Sequence, residues 1–319
     1  MSPLNIPSGT TVNNNGNFFS TINYSNVISG SGNFNIQFQS YVNLYATNTF
    51  AGSITVPNCG SSNGGRGTRL ALWGNGSIMS ASQITLLGIV SGQPYAGWIS
   101  VDRADGTLTL GANQLLRGDN GSYIRGSVVA PATSAIAPGG INNSNYQYMI
   151  VGTNLTFQAG STNYMDIYKT ASLLTNDLII VSNQVTYAGT LQIRTNGSVA
   201  ITNGDSFKLF QAGSATGNFT TIADPSGATW SFNPATGVAT VTALAPTVNT
   251  TPTNIVTSVS GNQLTMQWPA DHIGWFLQSN SVSLVNTSAW FNVLGSDITN
   301  KVIMTTDTSK TNVFYRMKY

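Results

Sequence analysis

The sequence contains no glutamate, one histidine (His272) and one cysteine (Cys59). Only 7% of its 319 residues are charged, and all ten acidic residues are aspartates. A helical protein without glutamate is improbable, because glutamate, lysine, arginine and alanine normally fill exposed helix positions. One histidine and one cysteine cannot form a structural zinc site of the usual kind, so we expect no metal and no cofactor. Twelve basic residues and a net charge of +2 also argue against nucleic acid as a partner.

The sequence also lacks a long apolar stretch. No run of 18 apolar residues is present, so we expect no membrane span by a helix. The amino terminus has neither the basic nor the apolar segment of a signal peptide. A charge-poor chain with one cysteine suits an extracellular or cell-surface bacterial protein without disulfides, a cytosolic protein being the alternative. We therefore expect a piece of a larger secreted chain whose missing domain lies upstream.

The residues that are abundant favour strands and turns. Serine, threonine and asparagine make up 109 of the 319 residues, and 31 are aromatic. Short segments with alternating apolar residues follow one another, and the phrase Gly-Thr-Leu recurs at 106–108 and 189–191. Such recurrence favours an all-β solenoid, in which each turn covers the next, over a β-sandwich.

Two segments carry a family resemblance. Residues 27–33 (VISGSGN) and 42–56 (VNLYATNTFAGSITV) resemble the autotransporter-associated β-strand repeat, and the resemblance extends over about residues 25–222. Residues 39–40 (Gln-Ser) replace the Lys-Thr-Gly phrase of that family. The family implies a right-handed parallel β-helix outside the bacterial cell. Its scaffolds serve adhesins, enzymes and binding modules alike, so the resemblance indicates fold and not function.

A composition change near residue 244 predicts a domain boundary. We expect a parallel β-helix over 1–244, a Pro/Thr-rich linker over 245–252 and a small antiparallel, β-sandwich-like domain over 253–319. Residues 268–275 (WPADHIGW) and 314–316 (FYR) of the last part resemble the fibronectin-like tail of secreted proteins from Verrucomicrobia and related bacteria.

Catalytic groups are scarce. Asp102 and Asp105 belong to the one local cluster of carboxylates, and a polysaccharide hydrolase or lyase would have to use them. The same residues stand in Asp-Gly-type turn sequences, which is the plainer interpretation. We expect no catalytic residues.

The most informative pattern is aromatic. Trp73, Trp98, Tyr123 and Tyr148 recur at a constant interval, which is close to the length of one solenoid turn. Stacked turns lie about 4.8 Å apart. The four rings are predicted to form either an exposed ladder on which sugar rings stack, an internal stack, or a chance spacing without structural meaning. Tyr95 is a further candidate for sugar binding. For an exposed ladder, Trp98→Ala is expected to weaken binding while the melting temperature stays almost unchanged.

These observations lead to three functional hypotheses. The first is a non-catalytic carbohydrate-binding module, similar at the level of the fold to β-helical binding modules of glycanases. It would hold an upstream catalytic domain on a neutral plant β-glycan, with xylan as the first choice, because a polyanionic glycan would require a basic groove. The second is a surface adhesin or structural protein, and the third is the hydrolase or lyase that uses Asp102 and Asp105.

Overall fold

The structure is a computed structural model. In it the chain forms two compact units, Met1–Leu244 and Ala245–Tyr319. Residues 245–247 of the predicted linker lie outside the described residues. No helix in the described ranges is long and apolar enough to cross a membrane. The described residues are 3–14, 20–59, 67–92, 94–103, 105–140, 146–244, 248–306 and 309–319.

The first unit consists of short strands and connecting turns. Its strands are β1 (Leu4–Ile6), β2 (Thr11–Asn14), β3 (Thr21–Tyr24), β4 (Ile28–Gly30), β5 (Asn33–Ile36), β6 (Tyr41–Leu44), β7 (Ser53–Val56), β8 (Arg69–Leu72), β9 (Gln83–Leu86), β10 (Trp98–Val101), β11 (Thr107–Thr109), β12 (Leu115–Gly118), β13 (Ser122–Arg125), β14 (Ser127–Ala130), β15 (Ala135–Pro138), β16 (Tyr148–Val151), β17 (Leu155–Phe157), β18 (Thr162–Lys169), β19 (Leu174–Asn176), β20 (Leu178–Tyr187), β21 (Thr190–Asn196), β22 (Ser206–Lys208), β23 (Phe210–Gly217), β24 (Thr221–Ala223), β25 (Thr229–Asn233) and β26 (Val238–Ala243).

These strands wind into a parallel β-solenoid of about seven turns, which confirms the predicted fold class. Each strand pairs with the equivalent strand of the next turn, so three faces run along the solenoid. Face 1 contains β1, β4, β11, β14 and β17. Face 2 contains β2, β5, β7, β9, β12, β15, β18, β21 and β24. Face 3 contains β3, β6, β8, β10, β13 and β16, and the long strands β20 and β23 join faces 3 and 1 in the last turns.

The interior is a stack of apolar side chains, one above the other. Alternate residues of a strand point to opposite sides, so the apolar positions of the sequence share the inner side. On face 3 the in-register inner residues are at most 1% exposed; they are Val42, Leu70, Ile99, Ile124 and Val151. Burying each such side chain stabilises the fold by about 1.5–3 kcal/mol relative to leaving it in water. This is the physical reason why the strands stay in register.

Buried amides replace strand pairing at the corner next to face 1. The Gln114 side chain donates to the carbonyls of Ile78 and Ala81 at 2.7 and 2.6 Å and accepts from the Gly111 N–H at 3.0 Å. Residues 78 and 81 belong to no strand, so the amide completes the hydrogen bonding that a ladder would supply.

The carboxyl-terminal end of the solenoid is closed. The parallel stack ends at β24, and β22, β26 and β25 form an antiparallel three-stranded sheet. The expectation of an uninterrupted parallel helix up to residue 244 therefore does not describe this end. Phe207 and Phe232 of the sheet are 2% and 9% exposed, and Phe232 packs edge-on against Tyr187 at 5.0 Å. We call this sheet the cap.

The second unit contains two small antiparallel sheets. One sheet has the order β27 (Val256–Ser260), β28 (Gln263–Gln267), β31 (Lys301–Thr305), and the other has the order β30 (Phe291–Asn292), β29 (Phe276–Asn280), β32 (Phe314–Lys318). Three short 3₁₀ helices cover residues Ala270–His272, Thr287–Ala289 and Ser296–Ile298. Met266, Trp268 and Leu277 form its buried core, to which both sheets contribute. This unit matches the predicted small antiparallel β domain.

Candidate functional site

Face 3 carries a row of stacked outer side chains, one from each of four consecutive turns. Tyr41, Arg69, Trp98 and Tyr123 are in-register partners. The Arg69 guanidinium lies 4.9 Å from the centroid of the Tyr41 ring and 5.8 Å from that of Trp98. The rings of Trp98 and Tyr123 follow at 6.5 Å. Cation–π and aromatic contacts therefore link the turns on the outside of the solenoid as apolar contacts do inside.

Trp98 is nevertheless a mostly buried member of this row. It is 5% exposed, and its indole N–H donates to the Gly67 carbonyl at 3.1 Å. Truncating a buried tryptophan typically costs about 3–5 kcal/mol of stability. The expectation that Trp98→Ala leaves the melting temperature almost unchanged does not fit this burial.

The four equally spaced rings do not form one row. Trp73 follows β8 and lies beyond Arg69, the register partner of Trp98; it stacks instead on Tyr45 at 6.4 Å. Tyr148 precedes Ile150, the register partner of Tyr123, and stacks on Tyr146 at 6.3 Å.

The reason is that the turns of the solenoid differ in length. Along face 3 the chain returns to the same register position at Arg69, Trp98, Tyr123 and Ile150. The interval is longest between Arg69 and Trp98 and shortest between Trp98 and Tyr123. A constant spacing in the sequence therefore drifts out of register along the face.

Three of the five predicted sugar-binding residues meet in one groove. We call this concavity of about 290 Å³ the aromatic groove. Tyr95 enters it from the segment before β10, where its backbone forms a bridge with Cys59. Trp98 and Tyr123 enter it from the outer side of face 3. The groove is lined by Gly67, Ile89, Pro94, Tyr95, Ala96, Trp98, Gly121, Tyr123 and Arg125.

A second concavity, lined by both amide and aliphatic side chains, adjoins the aromatic groove at the corner between faces 2 and 3. This amide pocket has a volume of about 270 Å³ and shares Ile89 with the groove. Its lining residues are Asn58, Leu87, Gly88, Ile89, Val90, Asp119, Asn120 and Gln147.

The amide pocket is held by backbone–side-chain hydrogen bonds. The Gln147 side-chain oxygen accepts from the Asn120 N–H at 2.7 Å, and the Asn58 amide donates to the Gly88 carbonyl at 2.6 Å. The side-chain oxygen of Asn120 is buried and accepts no hydrogen bond within the described ranges. A buried acceptor without a donor costs free energy in the folded state.

The charges beside the two concavities are paired. The Arg125 guanidinium binds Asp102, which also accepts from the Ser100 hydroxyl at 2.7 Å. Arg117 donates to Asp119 at 3.1 Å. Arg125 and Arg117 are thus each balanced by an aspartate.

Asp102 and Asp105, the candidate acids of the hydrolase hypothesis, belong to separate ion pairs. Asp105 accepts from Arg103 at 2.7 Å and from the Thr107 N–H at 3.2 Å, which is an ordinary turn arrangement. Asp102 is bound to Arg125. The structure therefore assigns both carboxylates a structural contact.

A buried carboxyl pair was missed by the sequence reasoning. Asp166 on β18 and Asp177 just before β20 are fully buried. The Asp177 carboxylate accepts from the Asp166 N–H at 3.0 Å, and the Asp177 N–H donates to the backbone carbonyl of Asp166 at 2.8 Å. Asp177 also accepts from the Gln147 N–H at 3.0 Å, and Arg194 binds Asp166 at 2.7 Å. Burial raises the pKa of Asp177 to about 8. No spacing rule connects these residues, because the β18–β19 hairpin that joins them interrupts the regular turns.

Comparison of the sequence with models of known protein families and with curated proteins finds no match to either. The resemblances to autotransporter repeats and to fibronectin-like tails therefore stay expectations, and the assignment to the parallel β-solenoids rests on the structure.

Proposed function

We propose that this protein is a non-catalytic carbohydrate-binding module that holds a neutral β-glycan in the aromatic groove and the amide pocket. The observation that carries the proposal is the meeting of Tyr95, Trp98 and Tyr123 in one concave site beside a cluster of amide side chains. Sugar rings present apolar C–H faces that pack on aromatic rings, and their hydroxyl groups hydrogen-bond amides and carboxylates. In this proposal xylan is the first choice of ligand.

The paired charges support a neutral ligand. Because Arg125 and Arg117 are each bound to an aspartate, no unbalanced positive charge is available from them for a uronate chain. In a secreted polysaccharide-degrading enzyme of a bacterium, such a module would keep the catalytic domain close to its substrate. The extracellular location and the upstream domain are parts of this proposal.

Affinity electrophoresis in gels with soluble xylan, β-glucan or pectate tests the proposal. We expect xylan or β-glucan to retard the protein, and Tyr123→Ala and Tyr95→Ala to weaken binding by roughly 1–3 kcal/mol, the scale of one buried large side chain. Retardation is expected to persist in about 0.5 M salt, because stacking and hydroxyl contacts are screened far less than ion pairs. Tyr45→Ala is the matched control, since Tyr45 lies on face 3 outside the groove.

Three results would contradict the proposal in different ways. Equal loss of binding in Tyr45→Ala and Trp73→Ala, with the groove variants unaffected, would move the site to that exposed pair. Absence of binding to every glycan would leave the second hypothesis, an adhesive or structural scaffold. The burial of Trp98 in a stack that links successive turns favours that hypothesis. Release of reducing ends that Asp102→Asn or Asp105→Asn abolishes would establish the hydrolase instead.

A further inference from the structure

The second unit exposes apolar side chains along one border of a sheet. Six aliphatic or aromatic residues between positions 282 and 298 are 63% to 100% exposed, and we call them the apolar border. They are Val282, Leu284, Val285, Phe291, Leu294 and Ile298. The whole segment lies inside the described range 248–306.

The apolar border follows one side of the sheet formed by β30, β29 and β32. Phe291 of β30 is the register partner of Ser279, and β30 pairs with β29 alone. The segment leaves β29 after Asn280, and it returns beside the other end of that strand, where the Val293 N–H donates to the Leu277 carbonyl at 2.8 Å. Since a strand rises about 3.3 Å per residue, the border extends over roughly 15 Å or more.

Buried polar side chains hold the two turns of the border in place. Asn280 is 1% exposed and accepts from the Val282 N–H at 2.8 Å. Ser296 is fully buried; its hydroxyl accepts from the Leu277 N–H at 3.0 Å and donates to the Val293 carbonyl at 2.7 Å. The apolar side chains are therefore presented to solvent by an ordered backbone, so covering them costs little ordering entropy.

Charge does not protect this surface. Residues 273–296 contain no charged side chain, although charges are the usual means of keeping exposed sheet edges apart. Two charges flank the border. They are Asp297 and Arg316, whose guanidinium lies 4.2 Å from the centroid of the Trp290 ring. Because they are opposite in sign, two copies that meet in antiparallel orientation can place unlike charges near each other.

The size of the border suits association with a second copy. Six side chains of this kind offer on the order of 500 Å² of apolar surface. Monomeric proteins rarely leave a contiguous apolar patch larger than a few hundred Å² in water. Two copies would bury about 1,000 Å² together, which is the area at which specific interfaces begin.

We propose that the apolar border is the interface of a symmetric dimer, in which the second units of two copies of this chain meet through the same surface. A two-fold axis places each border against its own copy, so the apolar patch is complementary to itself. The same surface is used on both copies, so this contact joins two copies and no more. Since hydrophobic burial drives it, we expect the dimer to persist in about 0.5 M salt.

Light scattering coupled to gel filtration tests the dimer with the full chain at about 1 and about 100 µM, which span weak and moderate interfaces. We expect the mass of the wild type to approach that of a dimer at the higher concentration. Leu294→Asp and Val285→Asp each place two like charges at the two-fold interface and are expected to raise the dissociation constant at least tenfold. Both side chains are almost fully exposed, so these changes leave the fold of one copy intact.

Val256→Asp is the matched control. Val256 is also an exposed valine, at 70%, but it lies on β27 of the other sheet. We expect this variant to dimerise like the wild type. Melting curves of the three variants confirm that they are folded.

Hydrogen–deuterium exchange locates the interface without any substitution. We expect the amides of residues 281–298 to exchange more slowly at the higher concentration, whereas those of β27 exchange equally at both. Unchanged exchange over 281–298 in a protein that does dimerise would place the interface on another surface.

Other results would overturn the proposal as well. These are a monomeric wild type at the higher concentration, assemblies larger than two, a dimer that withstands both aspartates on the border, and equal loss of the dimer in Val256→Asp. Binding of a monomeric wild type to phosphatidylcholine vesicles, abolished by Leu294→Asp, would make a lipid surface the occupant instead.

Discussion

Asp177 shows how a single buried group makes the stability of this protein depend on pH. Burial outweighs the two backbone hydrogen bonds that favour its charged form, so its pKa is raised to about 8. The folded protein then keeps a proton that the unfolded chain releases near pH 4. Between these two pH values the unfolded state binds fewer protons, so the free energy of unfolding falls as the pH rises.

The expected outcome is a melting temperature that declines between about pH 5 and about pH 8 in the wild type and declines less in Asp177→Asn. Scanning calorimetry over this range measures the two slopes. Asp105→Asn is the control, because Asp105 is exposed and its removal is expected to leave the slope unchanged. Parallel slopes for the wild type and Asp177→Asn would show that Asp177 does not hold its proton.

At the scale of one structural element, we expect Gln114 to stabilise the corner that precedes β12. Replacing it by leucine keeps the size of the side chain but removes the donor to the Ala81 carbonyl and the acceptor of the Gly111 N–H, while the Ile78 carbonyl keeps its bond from the Ala81 N–H. Each buried unsatisfied polar group costs about 1–3 kcal/mol, so we expect Gln114→Leu to lose at least about 2 kcal/mol of stability.

Chemical denaturation of the solenoid measures this loss. The matched control is Gln83→Leu on β9, where a partly exposed glutamine donates to the neighbouring Thr85 hydroxyl at 2.8 Å. We expect that control to stay within about 0.5 kcal/mol of the wild type. Similar losses in both variants would mean that the bridging bonds of Gln114 contribute nothing specific.

At the scale of the whole molecule, we expect the cap to protect the solenoid from aggregation. A chain that ends after Ala188 loses β21 to β26 and would expose strand edges and core residues at the carboxyl-terminal end of the solenoid. We expect such a chain to aggregate, whereas a chain that ends at Leu244 retains the cap and stays soluble. Sedimentation of the two truncated proteins makes the comparison. A soluble, folded shorter chain would show that the cap is dispensable.

The solenoid was predictable from the sequence, because its inner residues are apolar by physical necessity. Residues such as Val42, Ile99 and Ile124 occupy one alternating face of their strands, and the solenoid buries all three. The antiparallel pairing of the cap was not predictable. Phe210–Gly217 pairs parallel and Thr229–Asn233 pairs antiparallel, but the sequence of a short strand does not show which direction its partner runs.

The candidate site was predictable in its residue types and not in its register. Trp98 and Tyr123 meet because the turn between them returns the chain to the same position on face 3, whereas the longer connection between β8 and β10 displaces Trp73 from that row. Loop lengths determine which outer residues meet, and loops leave no periodic signal in a sequence. The buried pair of Asp166 and Asp177 depends on a hairpin of the same irregular kind.

The regular stacking also determines the order in which the chain can assemble as it leaves the ribosome. In-register partners such as Thr107 and Ser127, or Leu191 and Ile222, lie only one turn apart along the sequence, so each turn needs just the preceding one as a template. A growing chain can therefore add turns in sequence, with each completed edge serving the segment that emerges next. The cap is completed only after every parallel turn has been synthesised, so the edge that it covers remains open until the last parallel turn is in place.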